Sequence, residues 1–286
     1  MLSTDDDSSV TAVVVGFNHA HCLGRCFDSL MGQRQLSSLE VLYVDNASSD
    51  SSVAMTSWHP EIQVLRNSEN LGFARAVNQA LSRARGRYLA LVNPDTALDP
   101  LTLRRLIDAI RAHPAVALAA PRLLGEDGRE QPSLSHYPTL AGQLRRLLGR
   151  RPDGATGWLV GAMLLAETEL LRRMGGLDAS YFVYGEDMDL SHRVQRRGLR
   201  LHLARDHHIT HTGNPRWTWD RHARVYGAYL RFLGRHFPLQ RWAVGLPVSA
   251  LWILRGLRTG AGPAGLSRGL RRIWSKEPDL PPEDRP

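Results

Sequence analysis

The chain has 286 residues and a formal net charge of +8. That is room for one large domain or a domain with an appendage, and a charge balance that favours an acidic partner: a phosphorylated substrate, anionic lipid or nucleic acid. No apolar run approaches the ~20 residues that span a bilayer, and Met1 is followed by Asp5-Asp6-Asp7 instead of the basic start of a secretion signal, so a cytosolic catalytic part is expected. Lys276 is the only lysine, and nearly all the positive charge is arginine.

Residues 11–16 read as a first buried strand, with Leu23, Phe27 and Leu30 at helical spacing behind it. Cys22 and Cys26, with His19 and His21 nearby, invite a zinc reading. Zinc motifs draw a second pair of ligands from a separate element, and none stands out, so the two cysteines read as small buried apolar groups. Residues 39–44 form a second strand ending in Asp45-Asn46-Ala47-Ser48-Ser49-Asp50, and residues 62–65 a third. Asn70-Leu71-Gly72 opens a helix whose inward face carries Phe73, Val77 and Leu81.

Residues 88–92 are uniformly apolar, as in a strand buried on both faces of a parallel sheet. Asn93-Pro94 stops it, because proline cannot donate to a ladder. Asp95 is left just past the carboxyl end of that strand, the edge where open α/β sheets bind ligands. Asp99-Pro100 starts a helix with Leu103, Leu106, Ile107 and Ile110 inward, and residues 116–119 form another short strand. The alternation predicts a doubly wound parallel sheet over the first ~120 residues.

Between residues 123 and 154 the pattern breaks, and a variable stretch over the site is expected around Arg145-Arg146 and Arg150-Arg151. Residues 158–166 read as one strand containing Gly161, and residues 168–174 as a short helix ended by Gly175-Gly176. A further helix is expected over 187–197 with Gly198 as its stop, followed by edge strands at 200–203 and 208–210 before His211.

Glu186, Asp187 and Asp189 place three carboxylates in four residues at a helix start. One acid would suffice as a cap. Three, after an aromatic run and a glycine, point to a reactive carboxylate that the helix end keeps ionised, as a base requires. Asp95 and His211 make a plausible ligand pair for Mg²⁺ or Mn²⁺, with diphosphate and water completing the shell. Asp45, at a strand end, can accept hydrogen bonds from a nucleotide's base or ribose, although the run after it is turn-like. There is no Gly-x-Gly-x-x-Gly and no P-loop lysine, so oxidoreductase and NTPase readings lack their phosphate cradle.

Taken in order, Val13-Val14-Val15-Gly16-Phe17-Asn18, Val44-Asp45-Asn46-Ala47-Ser48-Ser49-Asp50, Asn70-Leu71-Gly72-Phe73-Ala74 through Asn78, Asn93-Pro94-Asp95, Tyr184-Gly185-Glu186-Asp187-Met188-Asp189-Leu190 and His211 resemble the inverting glycosyltransferases of family 2. Within that family they look most like the rhamnosyltransferase-like bacterial branch, over roughly residues 11–213. The resemblance implies an α/β fold of GT-A type: a doubly wound, mainly parallel sheet, here with a C-terminal helical appendage. It implies a nucleoside-diphospho-sugar donor, by branch deoxythymidine-diphospho-rhamnose, and a role in cell-surface polysaccharide or glycolipid assembly. Asp187 would be the base, with Glu186 beside it. Asn18, Asp45, Asn46, Asn70, Gly72, Asn78, Asn93 and Asp95 would face the donor, and Asp95 and His211 the metal. Asn93-Pro94-Asp95 carries one carboxylate fewer than the family's Asp-x-Asp, and Gly157 stands where an acceptor-binding aspartate is expected before Trp158.

Residues 1–215 are expected to be the catalytic domain and 216–286 a basic helical region. Residues 242–254 are nearly all apolar, include Trp242, Pro247 and Trp252, and are bracketed by Arg235, Arg241, Arg255 and Arg258. Leu266, Leu270, Ile273 and Trp274 share one helical face, with Arg268, Arg271 and Arg272 away from it. This pattern predicts docking on an anionic surface, the inner face of the cytoplasmic membrane, where a glycan or lipid-linked acceptor lies. The competing expectation is a pair of helices closing the core. Two other function classes compete. A sugar nucleotidylyltransferase would need a glycine-rich, arginine-containing loop where Gly16-Phe17-Asn18-His19 stands. A non-catalytic membrane- or nucleic-acid-binding module leaves the acid cluster unexplained, so no nucleic-acid partner is expected.

Overall fold

The computed structural model describes residues 8–213, 219–258 and 263–275. Residues 5–7, Asn214, Arg216, Gly260 and Lys276 lie outside the described residues, as does the expected boundary after residue 215. In chain order the first half runs β1 (Val10–Gly16), α1 (Ala20–Met31), β2 (Leu39–Asp45), β3 (Gln63–Arg66), α2 (Phe73–Arg83), β4 (Tyr88–Val92), β5 (Thr96–Ala97), α3 (Thr102–Ala112) and β6 (Val116–Leu124). The second half runs β7 (Glu130–Gln131), β8 (Leu134–His136), α4 (Leu140–Leu147), β9 (Gly157–Leu159), β10 (Met163–Glu167), α5 (Thr168–Arg173), α6 (Glu186–Gln195), β11 (Arg200–His211), α7 (Trp219–His236), α8 (Pro238–Arg258) and α9 (Pro263–Trp274).

The first four strands pair in parallel in the order β3-β2-β1-β4. Alternation along β1 feeds two cores, since successive side chains point to opposite faces. Val10, Ala12 and Val14 join Leu23 and Phe27 of α1 and Leu103 and Leu106 of α3. Val13 and Val15 join Val77 of α2 and Leu190 and Val194 of α6. The helices therefore cover both faces, as the uniformly apolar strands require.

Beyond β4 the sheet departs from a purely parallel order. β10 runs antiparallel between β4 and β6, and β11 pairs parallel with β6. Residues 163–166 are buried, and an apolar strand of this kind needs a neighbour on each edge. The run expected as one strand at 158–166 is thus two. β9 belongs to a small ladder with β8, and β10 to the main sheet. The two expected edge strands before His211 are one strand, β11, flanked by β6 and β5, with an irregularity between Ala204 and His208. That bulge sends His207 inward, where Thr102 and Arg105 bond it at 2.7 and 2.9 Å. The stretch from 123 to 154 carries β7, β8 and α4.

The last three helices pack on one another around Leu230, Phe232, Val244, Trp252 and Ile273, joined by Tyr137, Trp158 and Met188. The α9 face expected to meet lipid, with Leu266, Leu270, Ile273 and Trp274, is turned against this cluster instead. Apolar side chains on a short helix bury against the nearest apolar helices, and α7 and α8 supply them. No helix among the described residues is long and apolar enough to cross a membrane.

Candidate active site

The carboxyl ends of β2, β1 and β4 form one edge, and the register pairs Gly16 with Asp45 across it. Asp45 is buried there; its carboxylate accepts the Tyr43 hydroxyl at 3.3 Å and the Ser48 N–H at 3.2 Å. Asn18 sits in left-handed backbone, φ 57°, and its Oδ1 accepts the Ser49 N–H at 2.8 Å, binding the two loops together. Asn46 donates to the Gly72 carbonyl at 3.3 Å, and Asn70 accepts the Gly72 N–H at 3.0 Å. The Phe73 N–H then donates to the Phe182 carbonyl at 2.7 Å, which ties this loop to the segment leading into the acid helix. Asn78 stands apart from the others. Both of its amide atoms bond the Leu177 backbone, at 2.8 and 2.9 Å.

Asn93 and Asp95 follow β4. β5 then pairs with β11, opposing His211 to Thr96. This ladder brings His211 Nε2 to 3.5 Å from Asp95 Oδ1. Gln131 orients the ring. Its Nε2 donates to the His211 carbonyl at 2.9 Å, so its Oε1 accepts from His211 Nδ1–H at 2.7 Å. This holds the ring with Nε2 turned toward the Asp95 carboxylate. Such a donor set, with the other ring nitrogen held by an amide, fits a divalent cation. Among the described residues no group of three or more His, Cys, Asp and Glu could hold a metal. His19 completes this corner; burial lowers its imidazole pKa, against the pull of Asp95. Cys22 and Cys26 are free, and burial pushes the Cys22 thiol up to about 11.

Tyr184 and Gly185 have φ of 69° and 91°, and this turn swings the chain into α6. The tyrosine's conformation costs on the order of 1–3 kcal/mol, the kind of strain that collects at functional sites. Asp187 then accepts the Gly161 N–H on Oδ2 and the Met188 N–H on Oδ1, each at 2.8 Å. Burial pushes its carboxyl up to about 6, against those two N–H groups. Desolvation outweighs the backbone donors, so the carboxyl lies above its ordinary value while those donors still favour its ionised form. Burial and the adjacent Asp187 charge push Glu186 up to about 8, and its Oε2 is buried with no hydrogen-bond partner among the described residues. Asp189 takes a different path. It is fully buried, accepting Arg193 Nε at 2.6 Å and bonding His236 Nε2 at 2.7 Å. Burial pushes this carboxyl up as well, but His236 and Arg193 outweigh it and hold it below the usual range.

Gly161 and Ala162 join the two halves. Gly161 holds Asp187, while the Ala162 carbonyl accepts the Asn93 N–H at 2.9 Å. A Cβ at Gly161 would lie 2.9 Å from the Asp187 Cβ, so only glycine lets the acid approach. Gly161, Gln131 and His236 were not expected site residues. Their signals were a glycine inside an apolar run, a glutamine in a polar turn region and a histidine at a helix end. At Gly157 a Cβ would lie 2.7 Å from the Ser135 carbonyl, which leaves no room for the aspartate expected there.

This chain matches the profile described as glycosyl transferase family 2 over residues 11–175. It belongs to that family. Among curated proteins, this family 2 chain is 28% identical over 200 residues to N-acetylglucosaminyl-diphospho-decaprenol L-rhamnosyltransferase of Mycobacterium tuberculosis. The match covers 59% of this chain and 64% of that protein, so it spans a little under two thirds of the relative's length. Among solved structures, the mannosyltransferase PcManGT from Pyrobaculum calidifontis, in complex with GDP-Man and Mn²⁺, superposes with a TM-score of 0.62 at 18% identity, covering 94% of this chain and 88% of that one. GalNAc-T7 with UDP, GalNAc and Mn²⁺ superposes with a TM-score of 0.60 at 16% identity, covering 80% and 48%. At these identities the likeness establishes the GT-A fold.

Proposed function

We propose that the chain transfers a sugar from a nucleoside-diphospho-sugar to an acceptor hydroxyl with inversion at the anomeric carbon. The observation that carries this reading is the carboxylate of Asp187, held by two backbone N–H groups and, among the described residues, by no cation, and joined through Gly161 and Ala162 to the Asp95–His211 corner. Asp187 takes the acceptor's proton as the hydroxyl oxygen bonds to the anomeric carbon; the bond to the diphosphate breaks and the diphosphate leaves with its electron pair. Glu186 keeps its proton, and its buried Oε2, without a partner among the described residues, retains capacity for one further hydrogen bond. Asp45 meets the nucleotide. Asn18, Asn46, Asn70, Gly72 and Asn93 shape the loops around the donor, and Asn78 braces Leu177 at their back. Asp95 and His211 would hold Mg²⁺ or Mn²⁺, which when bound neutralises charge on the diphosphate.

The donor we propose is deoxythymidine-diphospho-rhamnose, and the acceptor a lipid-linked glycan in cell-envelope assembly. The name of the mycobacterial relative supports the rhamnosyl group and the lipid-linked acceptor, and the thymidine nucleotide rests on the sequence resemblance. Residues 1–215 would form the catalytic part, and 216–286 would rest on the cytoplasmic membrane's inner face. Support for the membrane face comes from α8, whose outward side exposes Trp242, Leu246, Leu251, Leu254 and Leu257. The test is calorimetry with a panel of nucleotide sugars, followed by release of nucleoside diphosphate with and without chelator. The thymidine form should bind, and chelator should abolish release. Tight binding of a uridine or guanosine form alone would move the donor assignment, and full activity in chelator would remove the cation.

A further inference from the structure

α4 is built the wrong way round for a helix on a water-soluble surface. Leu140, Leu144, Leu147 and Leu148 are spaced by four, three and one, so they share one helical face. All four are more than half exposed, and Leu147 reaches 84%. The opposite side is the anchored one: Gly142 is buried against the Tyr137 carbonyl, and Thr139 caps the helix by accepting the Gly142 N–H at 3.1 Å. A stripe of this kind marks a surface that something covers.

The stripe does not end with α4. The Leu140 N–H donates to Gln240 Oε1 at 2.9 Å, which seats the start of α4 against the start of α8. Leu239, beside Gln240, is 91% exposed, so apolar surface continues from one helix to the other. Arg145, Arg146, Arg150 and Arg151 cluster at the far end of α4, three of them exposed. The root of α4 is also a wall of the acid site: Tyr137 stacks on Phe232 of α7, and its hydroxyl donates to Gln195 of α6 at 2.7 Å.

We propose that α4 is a second foot on an anionic phospholipid bilayer, with its leucines in the interface and its arginines on the headgroups, beside the outward face of α8. This rests on the glycosyltransferase reading only for what the docking serves, which is bringing a lipid-linked acceptor to Asp187. One interfacial helix can roll about its axis. Two helices meeting at Leu140 and Gln240 define a plane and fix which way the site faces. The charges select the occupant. Isologous pairing with a second copy sets the same patch against itself and brings like-charged arginines together, whereas an anionic lipid surface complements them.

The experiment is co-flotation of the full chain with vesicles of phosphatidylcholine alone or mixed with phosphatidylglycerol, paired with nucleoside-diphosphate release from donor in vesicle-free solution. The wild-type chain should float with the anionic vesicles and not with the neutral ones, and less as salt rises. Leu144→Glu with Leu147→Glu should cut the bound fraction roughly tenfold or more, and Arg145→Glu with Arg146→Glu should cut it and flatten the salt dependence. Solution donor hydrolysis should be unchanged in both pairs, which reports that they fold. Wild-type flotation by the leucine pair would overturn the role of α4, and no flotation of the wild type at low salt would overturn docking altogether. A dimer seen by light scattering that Leu144→Glu dissolves would make the occupant a second copy and overturn the lipid. Lipid binding by a chain that never turns over donor would sink the enzymatic reading and leave the docking standing.

Discussion

Asp187 and Asp189 stand two residues apart on α6 and meet opposite fates. Asp189 is fully buried and neutralised by Arg193 and His236, which hold its proton affinity low and lock α6 to α7. Among the described residues Asp187 has backbone donors only, from Gly161 and Met188, and burial raises its carboxyl to about 6. Their partners alone make Asp189 a brace and leave Asp187 suited to the base proposed above. A cation within bonding distance takes a carboxylate out of proton chemistry. A pair of N–H groups in a desolvated pocket leaves it able to accept a proton.

The largest effect that would break this division is on turnover. Asp187→Asn should lower sugar transfer by ~10²–10⁴ while donor binding by calorimetry persists. Near-normal transfer in that variant, with Glu186→Gln inactive, would pass the role to Glu186. The complementary change acts on the fold. Asp189→Ala strands Arg193 and His236, and urea unfolding should show a loss of about 3–5 kcal/mol, with transfer per folded molecule kept within about tenfold. If Asp189→Ala were as stable as wild type but inactive, the brace and the base would have to be exchanged.

Gly161→Ala sharpens the comparison from the other side. The added Cβ displaces the Asp187 carboxylate from its N–H donor without touching Asp189. Transfer should fall by ~10² with little change in stability, because small misplacements of a reacting group are costly. Unaltered kinetics would mean that the backbone contact is incidental.

The smallest expected effect is on pH, and the two acids carry opposite signs. The Asp187 carboxyl lies higher in the folded chain than its ordinary value of 3.8, so its contribution to stability is present below that value and is lost as pH rises through about 6. For Asp189 the folded value is depressed, so its contribution is present above 3.8 and is lost as pH falls. Relative to Asp187→Asn, which has no carboxyl to titrate there, wild-type stability in urea titrations should therefore decline as pH rises from about 4 to about 7. Transfer by the wild-type chain should rise with pH through about 6 as the base loses its proton. A transfer rate flat across that interval would remove Asp187 from the rate.

Much of this is legible in the amino-acid sequence alone. The apolar runs of β1, β2 and β4 mark strands buried on both faces, and helical spacing in α1, α2 and α3 marks what covers them. Asn93-Pro94 had to stop β4, so Asp95 had to fall at its carboxyl end. The acid cluster at the start of α6 was visible as a cluster. These are local properties, set by side-chain period and turn chemistry within a few residues.

Tertiary structure decided the remainder, because strand order, burial and ion pairing depend on residues far apart in the chain. The insertion of β10 between β4 and β6 follows from the available edges. His211 reaches Asp95 only because β5 pairs with β11, and Gly161 reaches Asp187 only because the run at 158–166 splits. No pattern in Glu-Asp-Met-Asp says which acid will find a cation. That was settled when α7 placed His236 against Asp189, and Coulomb and desolvation energies depend on such distances, not on spacing in the chain.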